Sequence, residues 1–170
     1  MNSADLLADA FGRIQEEVHD AVGGLTPAEL AERPDPAANS VGWLIWHLTR
    51  VQDDHVADAA GDDQIWTSQG WYDRFGLPFP PEAIGYGFGP DEVAAVEIAD
   101  PSLLTGYYDA VHERTIAYVA DLSDADLDRI VDKRWNPPVS LGVRLVSVIG
   151  DDLQHVGQAA YLRGLLLRRR

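Results

Sequence analysis

The chain contains no cysteine. That excludes disulfides, thiolate metal sites and a cysteine nucleophile, and it leaves no redox compartment to be read from the sequence. Lysine is almost absent too. Lys133 is the sole lysine among 13 basic residues, which face 28 acidic ones. No basic patch offsets the resulting net charge of −15, so the surface repels phosphate backbones and anionic membranes. Three arginines at positions 168–170 are too few to reverse this, and no nucleic-acid partner is expected. No apolar run approaches the ~20 residues needed to span a bilayer. The N-terminal stretch "MNSADLLADAFGRIQEEV" is acidic and amphipathic, whereas a signal peptide begins basic and continues as an unbroken apolar run. A cytoplasmic protein with no membrane partner is the expectation. Glycine-rich phosphate loops and Gly-x-Ser-x-Gly nucleophile elbows are missing as well.

What is present is helical. At 170 residues the chain is long enough for one domain with a real core, taken as residues 1–170, and too short for two. Leu6, Leu7, Ala10, Phe11, Ile14, Val18 and Val22 recur at helical spacing and predict a helix over 3–22, stopped by Gly23 and Gly24. A short helical turn and a proline-broken loop follow. A second long helix opens at Asn39 or Ser40, both good N-caps, and runs to Gly61. Pro101 starts a third, and Ser140 caps a fourth that carries the remainder of the chain. Residues 123–139 read as a connection with a short helical piece at its front. Four amphipathic helices without a convincing strand pattern predict an all-α bundle.

Residues 61–100 differ in texture. They are rich in Gly, Pro and aromatics, and a structureless loop of that length is unusual inside a compact domain. The expectation is an ordered insertion between the second and third helices. It would be packed by its own Trp66, Trp71, Phe75, Phe79 and Tyr86, with a short helix from about Asp91. Functional lids share this composition with plain covering loops.

Two helices open alike, with "NSVGWL" at 39–44 and "VSLGVRL" at 139–145. Counted from Ser40 and Ser140, His47 stands at +7, Asp151 at +11 and His155 at +15. Steps of four keep these residues on matching helix faces. An Asp and a His one turn apart can reach one ion, with a third ligand supplied by a neighbouring helix. Two imidazoles and a carboxylate leave coordination positions open for water or substrate, and divalent zinc, nickel, iron or manganese would accept them. Each residue also has a plainer reading. His47 sits between apolar neighbours as a buried histidine would, and Asp151 and His155 could be surface groups. Asp152 is three residues before His155, which is also same-face spacing, so phase does not choose between the two acids. His55 lies about 80° around the helix from His47 and ~12 Å along it, too far to share an ion unaided. Asp54, His19 and His112 could line the same interior but read more simply as solvated or packed groups. No catalytic residue is assigned.

These segments resemble the DinB/YfiT-like superfamily of four-helix metalloproteins, and within it the mycothiol-dependent maleylpyruvate isomerase-type group. "GWLIWHL" matches the family's metal-binding His-Leu on the second helix, and "DDLQHVGQ" matches a His-Glu-x-x-His-x-Gly-Gln pattern whose first position can be an acid. Lining up "HVGQ" implies Asp151 as the first ligand of the fourth helix, with Asp152 at the Glu position and His155 as second ligand. Many relatives have three histidines, and the isomerase branch usually has Glu where Asp151 stands. The resemblance implies a divalent metal, most often zinc or nickel, at His47, Asp151 and His155. It also implies a thiol-dependent transfer or isomerisation with mycothiol as co-substrate and a small electrophile as partner. Lysine-poor, arginine- and alanine-rich usage suits a high-GC actinobacterial source, where mycothiol is the expected thiol. A homodimer through exposed helix faces would fit the family. A different class of function fits the same residues: a non-catalytic helical bundle that binds metal or ligand as a sensor or interaction module.

Overall fold

The computed structural model describes residues 1–169; Arg170, last of the terminal arginines, lies outside the described residues. Ser3–Val22 (α1) begins at a reciprocal cap. The Asn2 side chain accepts from the Asp5 amide, and the Asp5 carboxylate accepts from the Asn2 amide. Pro27–Ala31 (α2) is the expected single turn. Val41–Ala60 (α3) is capped by Ser40, whose hydroxyl accepts from the Trp43 amide at 3.1 Å, and ends at Gly61 in the left-handed region. Pro101–Ala120 (α7) and Leu141–Leu167 (α8) complete the long helices. The serine counted from in each opening is therefore the true cap of its helix.

α1 packs against α7 and α8, and α3 packs against the same two, while α1 and α3 barely touch. The helices thus form a ring in the order α1, α7, α3, α8 around one hydrophobic core. This is the all-α four-helix bundle, with an insertion between the second and third long helices. The core is filled by residues such as Phe11, Ile14, Trp46, Leu104 and Leu145. α3 and α8 run antiparallel, because His47 meets His155 while His55, two turns later, meets Arg144 near the start of α8.

Two features depart from the expectation. Residues 61–100 contain three short helices, not one: Ile65–Ser68 (α4), Trp71–Phe75 (α5) and Pro90–Ala94 (α6). Runs of four and five residues carry too little periodicity to register in sequence. The second departure is a small antiparallel hairpin of Ile130–Asp132 (β1) and Val139–Ser140 (β2). Strands of two or three residues cannot show alternation, and this pair is held partly by side chains. Asp132 accepts from Arg134 and from Arg144 of α8.

Candidate metal centre

α3 and α8 bring His47, Asp151 and His155 together. One ligand atom from each lies within 4.8 Å of the others. Metal bonds of about 2.1 Å in a tetrahedral site put donor atoms roughly 3.4 Å apart, so side-chain rotation alone would close the difference. His47 is 2% exposed, and Asp151 and His155 are partly buried. The sequence phase fixes which faces meet. Antiparallel packing fixes the heights, so that offset +7 on α3 meets +11 and +15 on α8.

Both imidazoles are held in one tautomer by backbone. His47 Nδ1 is hydrogen-bonded to the Ile84 carbonyl, and His155 Nδ1 lies 2.8 Å from the Asp151 carbonyl. A carbonyl can only accept, so each Nδ1 carries the proton and each Nε2 presents its lone pair. This is the outer-shell arrangement that orients histidine ligands of metals. Burial pushes the His47 pKa below its ordinary value, with the nearby His155 adding to the effect, although the Ile84 bond and Asp151 oppose it. A neutral imidazole is the ligand form. The Asp151 Oδ2 is buried and accepts no hydrogen bond, with His155 Nδ1 3.5 Å away. A buried carboxylate oxygen without a hydrogen-bond donor, in a cluster with two imidazoles, fits a cation.

Aromatic rings enclose the triad. Trp43, one turn before His47, stacks on its ring at 4.5 Å between centroids and 16° between planes. Tyr86 meets His47 edge-on at 5.3 Å, and His155 does so at 4.8 Å. Gly85 makes this closeness feasible. A Cβ there would sit 2.6 Å from His47 Nδ1, and its φ of +96° disfavours any L side chain.

The segment over His47 is itself anchored. Arg50, fully buried on α3, donates to the carbonyls of Pro81 (3.0 Å) and Ala83 (3.2 Å) and to Gln64 Oε1 (2.8 Å). Asp53, one turn on, accepts from the Ile65 and Trp66 amides and from the Tyr107 hydroxyl. Burial raises the Asp53 pKa, and these hydrogen bonds together with Arg50 act against it. Neither anchor was recognised in the sequence. An Arg and an Asp three residues apart within an otherwise apolar helix was the available signal. The insertion's aromatics pack on one another, with Trp66 on Phe75 at 5.1 Å and Phe79 on Phe88 at 4.7 Å between centroids, and also on the bundle. Trp66 and Phe75 lie against Tyr107 of α7, and Phe79 against Trp46 of α3. Tyr86 is exposed beside His47, outside that packing.

The remaining titratable residues lie elsewhere. Asp152 is completely buried, and no protein group donates to either carboxylate oxygen. Burial, then the neighbouring Asp151, holds its pKa well above the carboxylate range. Burial, then Asp152 and Asp109, pushes the pKa of the buried Tyr108 well above its ordinary value. His55 faces Arg144 (2.9 Å) and Asp54 (3.4 Å). Asp54 also accepts from Gln64. His112 stacks beside Tyr108, and His19 pairs with Asp109 at 2.8 Å on the surface. Among the described residues, none of these joins His47.

The sequence profile of the DinB superfamily matches residues 10–159. The chain belongs to the DinB superfamily. Among solved structures, a conserved protein from Enterococcus faecalis superposes with a TM-score of 0.91 at 35% identity, covering 98% of each chain. No curated protein matches the sequence. Membership of a DinB superfamily whose bundle is reproduced over its full length gives the His47, Asp151 and His155 cluster its setting between the second and fourth long helices. Among the described residues no helix is long and apolar enough to cross a membrane.

Proposed function

We propose that residues 1–170 work as one domain holding a divalent metal, zinc or nickel, on His47, Asp151 and His155, and that the protein catalyses a thiol-dependent transfer or isomerisation on a small electrophile. The observation that carries this is the convergence of three ligand atoms within 4.8 Å, with each imidazole Nδ1 occupied by a carbonyl. A divalent ion there would supply Lewis acidity, which lowers the pKa of a thiol toward neutrality. The chain's own groups do the rest. His47, Asp151 and His155 hold, Ile84 and the Asp151 carbonyl orient, and Trp43 and Tyr86 wall the space beside His47. Since the chain has no cysteine, the sulfur must come from a low-molecular-weight thiol. Mycothiol is our choice, on the resemblance to the isomerase-type group and on a lysine-poor composition that suits an actinobacterial source.

The test is conjugation of mycothiol to a panel of small electrophiles by zinc- or nickel-loaded protein. Turnover that disappears in Asp151→Ala supports the enzyme. Stoichiometric metal binding without turnover of any electrophile supports instead a bundle that binds metal or ligand as a sensor or interaction module. No bound metal after refilling with zinc, nickel or manganese would remove the metal-dependent enzyme and the metal-binding form of that module, and would point to an apo bundle.

A further inference from the structure

The three residues of the candidate centre have no hydrogen left to give. The imidazole N–H groups of His47 and His155 are committed to the carbonyls of Ile84 and Asp151, and the Asp151 carboxylate can only accept. They can hold an ion, but they offer no donor to an oxygen of a molecule that binds beside it. Tyr86 supplies one.

Among the aromatic residues of the insertion Tyr86 alone is exposed, at 57%. Its ring meets His47 edge-on, and its hydroxyl has no hydrogen-bond partner among the described residues. Tyr72, the insertion's other tyrosine, donates its hydroxyl to the Phe79 carbonyl. The position of Tyr86 is built by the backbone. A hydrogen bond of 3.3 Å from the Phe88 amide to the Gly85 carbonyl closes a turn around it. Gly87, at φ +76°, takes the third place, where a type II turn needs a positive φ. Both flanks are fixed. The Ile84 carbonyl accepts from His47, and Phe88 packs on Trp46 at 6.0 Å and on Phe79 at 4.7 Å. The turn therefore sets the ring beside His47, while no hydrogen bond restrains rotation of the side chain. A phenol keeps its proton at neutral pH; partial burial and then the charge of Asp151 hold it there more firmly.

We propose that Tyr86 determines specificity at this centre, its hydroxyl donating a hydrogen bond to an acceptor oxygen of the small molecule bound there. The inference rests on the metal-holding reading of His47, Asp151 and His155. Oxygen is the acceptor for a chemical reason. A phenol O–H bonds oxygen at short range, whereas sulfur accepts weakly and a nitrogen bound to a metal ion has no lone pair left to accept with. The indole of Trp43 would receive an apolar body of any kind. The donor, not the wall, separates an oxygen-bearing molecule from an analogue that lacks the oxygen.

The full chain loaded with cobalt, a spectroscopic stand-in for zinc, tests this. Acetohydroxamate serves as the oxygen probe, and imidazole as a probe that offers no acceptor once bound. Affinities are read from the visible absorption of the cobalt, and metal content from elemental analysis. Tyr86→Phe keeps the ring and removes only the hydroxyl. It should retain one equivalent of metal, bind acetohydroxamate about tenfold more weakly and bind imidazole as the wild type does. Unchanged acetohydroxamate affinity at full metal content would overturn the role of Tyr86 and leave the metal site standing. Equal weakening of both probes would overturn it as well, since the side chain would then shape the space without donating. A wild type that takes up no cobalt would overturn the metal reading itself, and this inference with it.

Discussion

At the scale of single residues, the two adjacent acids of "GDDLQH" part company. Asp151 turns toward His47 and His155, and Asp152 turns into the bundle centre. Helical phase left that choice open, and the family pattern preferred Asp151. The structure supplies the physical difference: Asp151 lies beside two imidazoles, whereas Asp152 is surrounded by apolar core and Tyr108. Asp151→Asn is therefore expected to lose stoichiometric metal, while Asp152→Asn keeps it, as read by isothermal titration with zinc. Metal retained in the first and lost in the second would transfer the role to Asp152. Gly85 gives a second prediction. Gly85→Ala imposes an unfavourable φ and drives a methyl into His47, so the Ile84 carbonyl should leave Nδ1. Loss of such an outer-shell partner typically weakens metal binding about 10–100-fold. That position was unreadable in sequence, because one Gly among several in 61–100 carries no mark of what approaches it.

At the scale of elements, the long helices were legible, as were the short α2 and α6, whereas α4 and α5 were not. The starts of α3 and α8 follow from Ser40 and Ser140, and their faces from periodicity. α4, α5 and the β1–β2 hairpin are too short to leave a pattern, and tertiary partners determine them. For the insertion that partner is Arg50, which ties Pro81, Ala83 and Gln64 to α3. Arg50→Met should strand the buried Asp53 and free the 81–85 segment. Breaking one side of a buried charged network typically costs about 3–5 kcal/mol, measurable by urea unfolding. Hydrogen exchange should accelerate at the Ile65 and Trp66 amides, which Asp53 holds. Unchanged exchange there would show that aromatic packing alone fixes the insertion.

For the whole molecule, buried titratable groups give metal-free protein a defined pH dependence. Burial lowers the pKa of His47, His55 and His112, with Arg144 adding to the effect at His55. A lowered folded-state pKa means that stability is fully present above the unfolded value, about 6.5 for histidine, and is lost as pH falls through it toward the folded pKa. Asp152 acts with the opposite sign. Its raised pKa makes folding costlier as pH climbs above the ordinary carboxylate range, by up to about 1.4 kcal/mol per pH unit. In wild type the two effects oppose each other. In Asp152→Asn only the histidines remain, so urea-unfolding stability measured with chelator should rise more steeply between about pH 5.5 and 7.5 than in wild type. Equal slopes would place the Asp152 proton elsewhere.

The central claim is that His47, Asp151 and His155 hold one metal. Elemental analysis of purified wild type and alanine variants, after loading with zinc or nickel and removal of excess, tests it most directly. One equivalent per chain is expected in the wild type, in His55→Ala and in His112→Ala. Essentially none is expected in His47→Ala, Asp151→Ala or His155→Ala. Full occupancy in any of those three variants, or its loss in His55→Ala, would contradict the assignment.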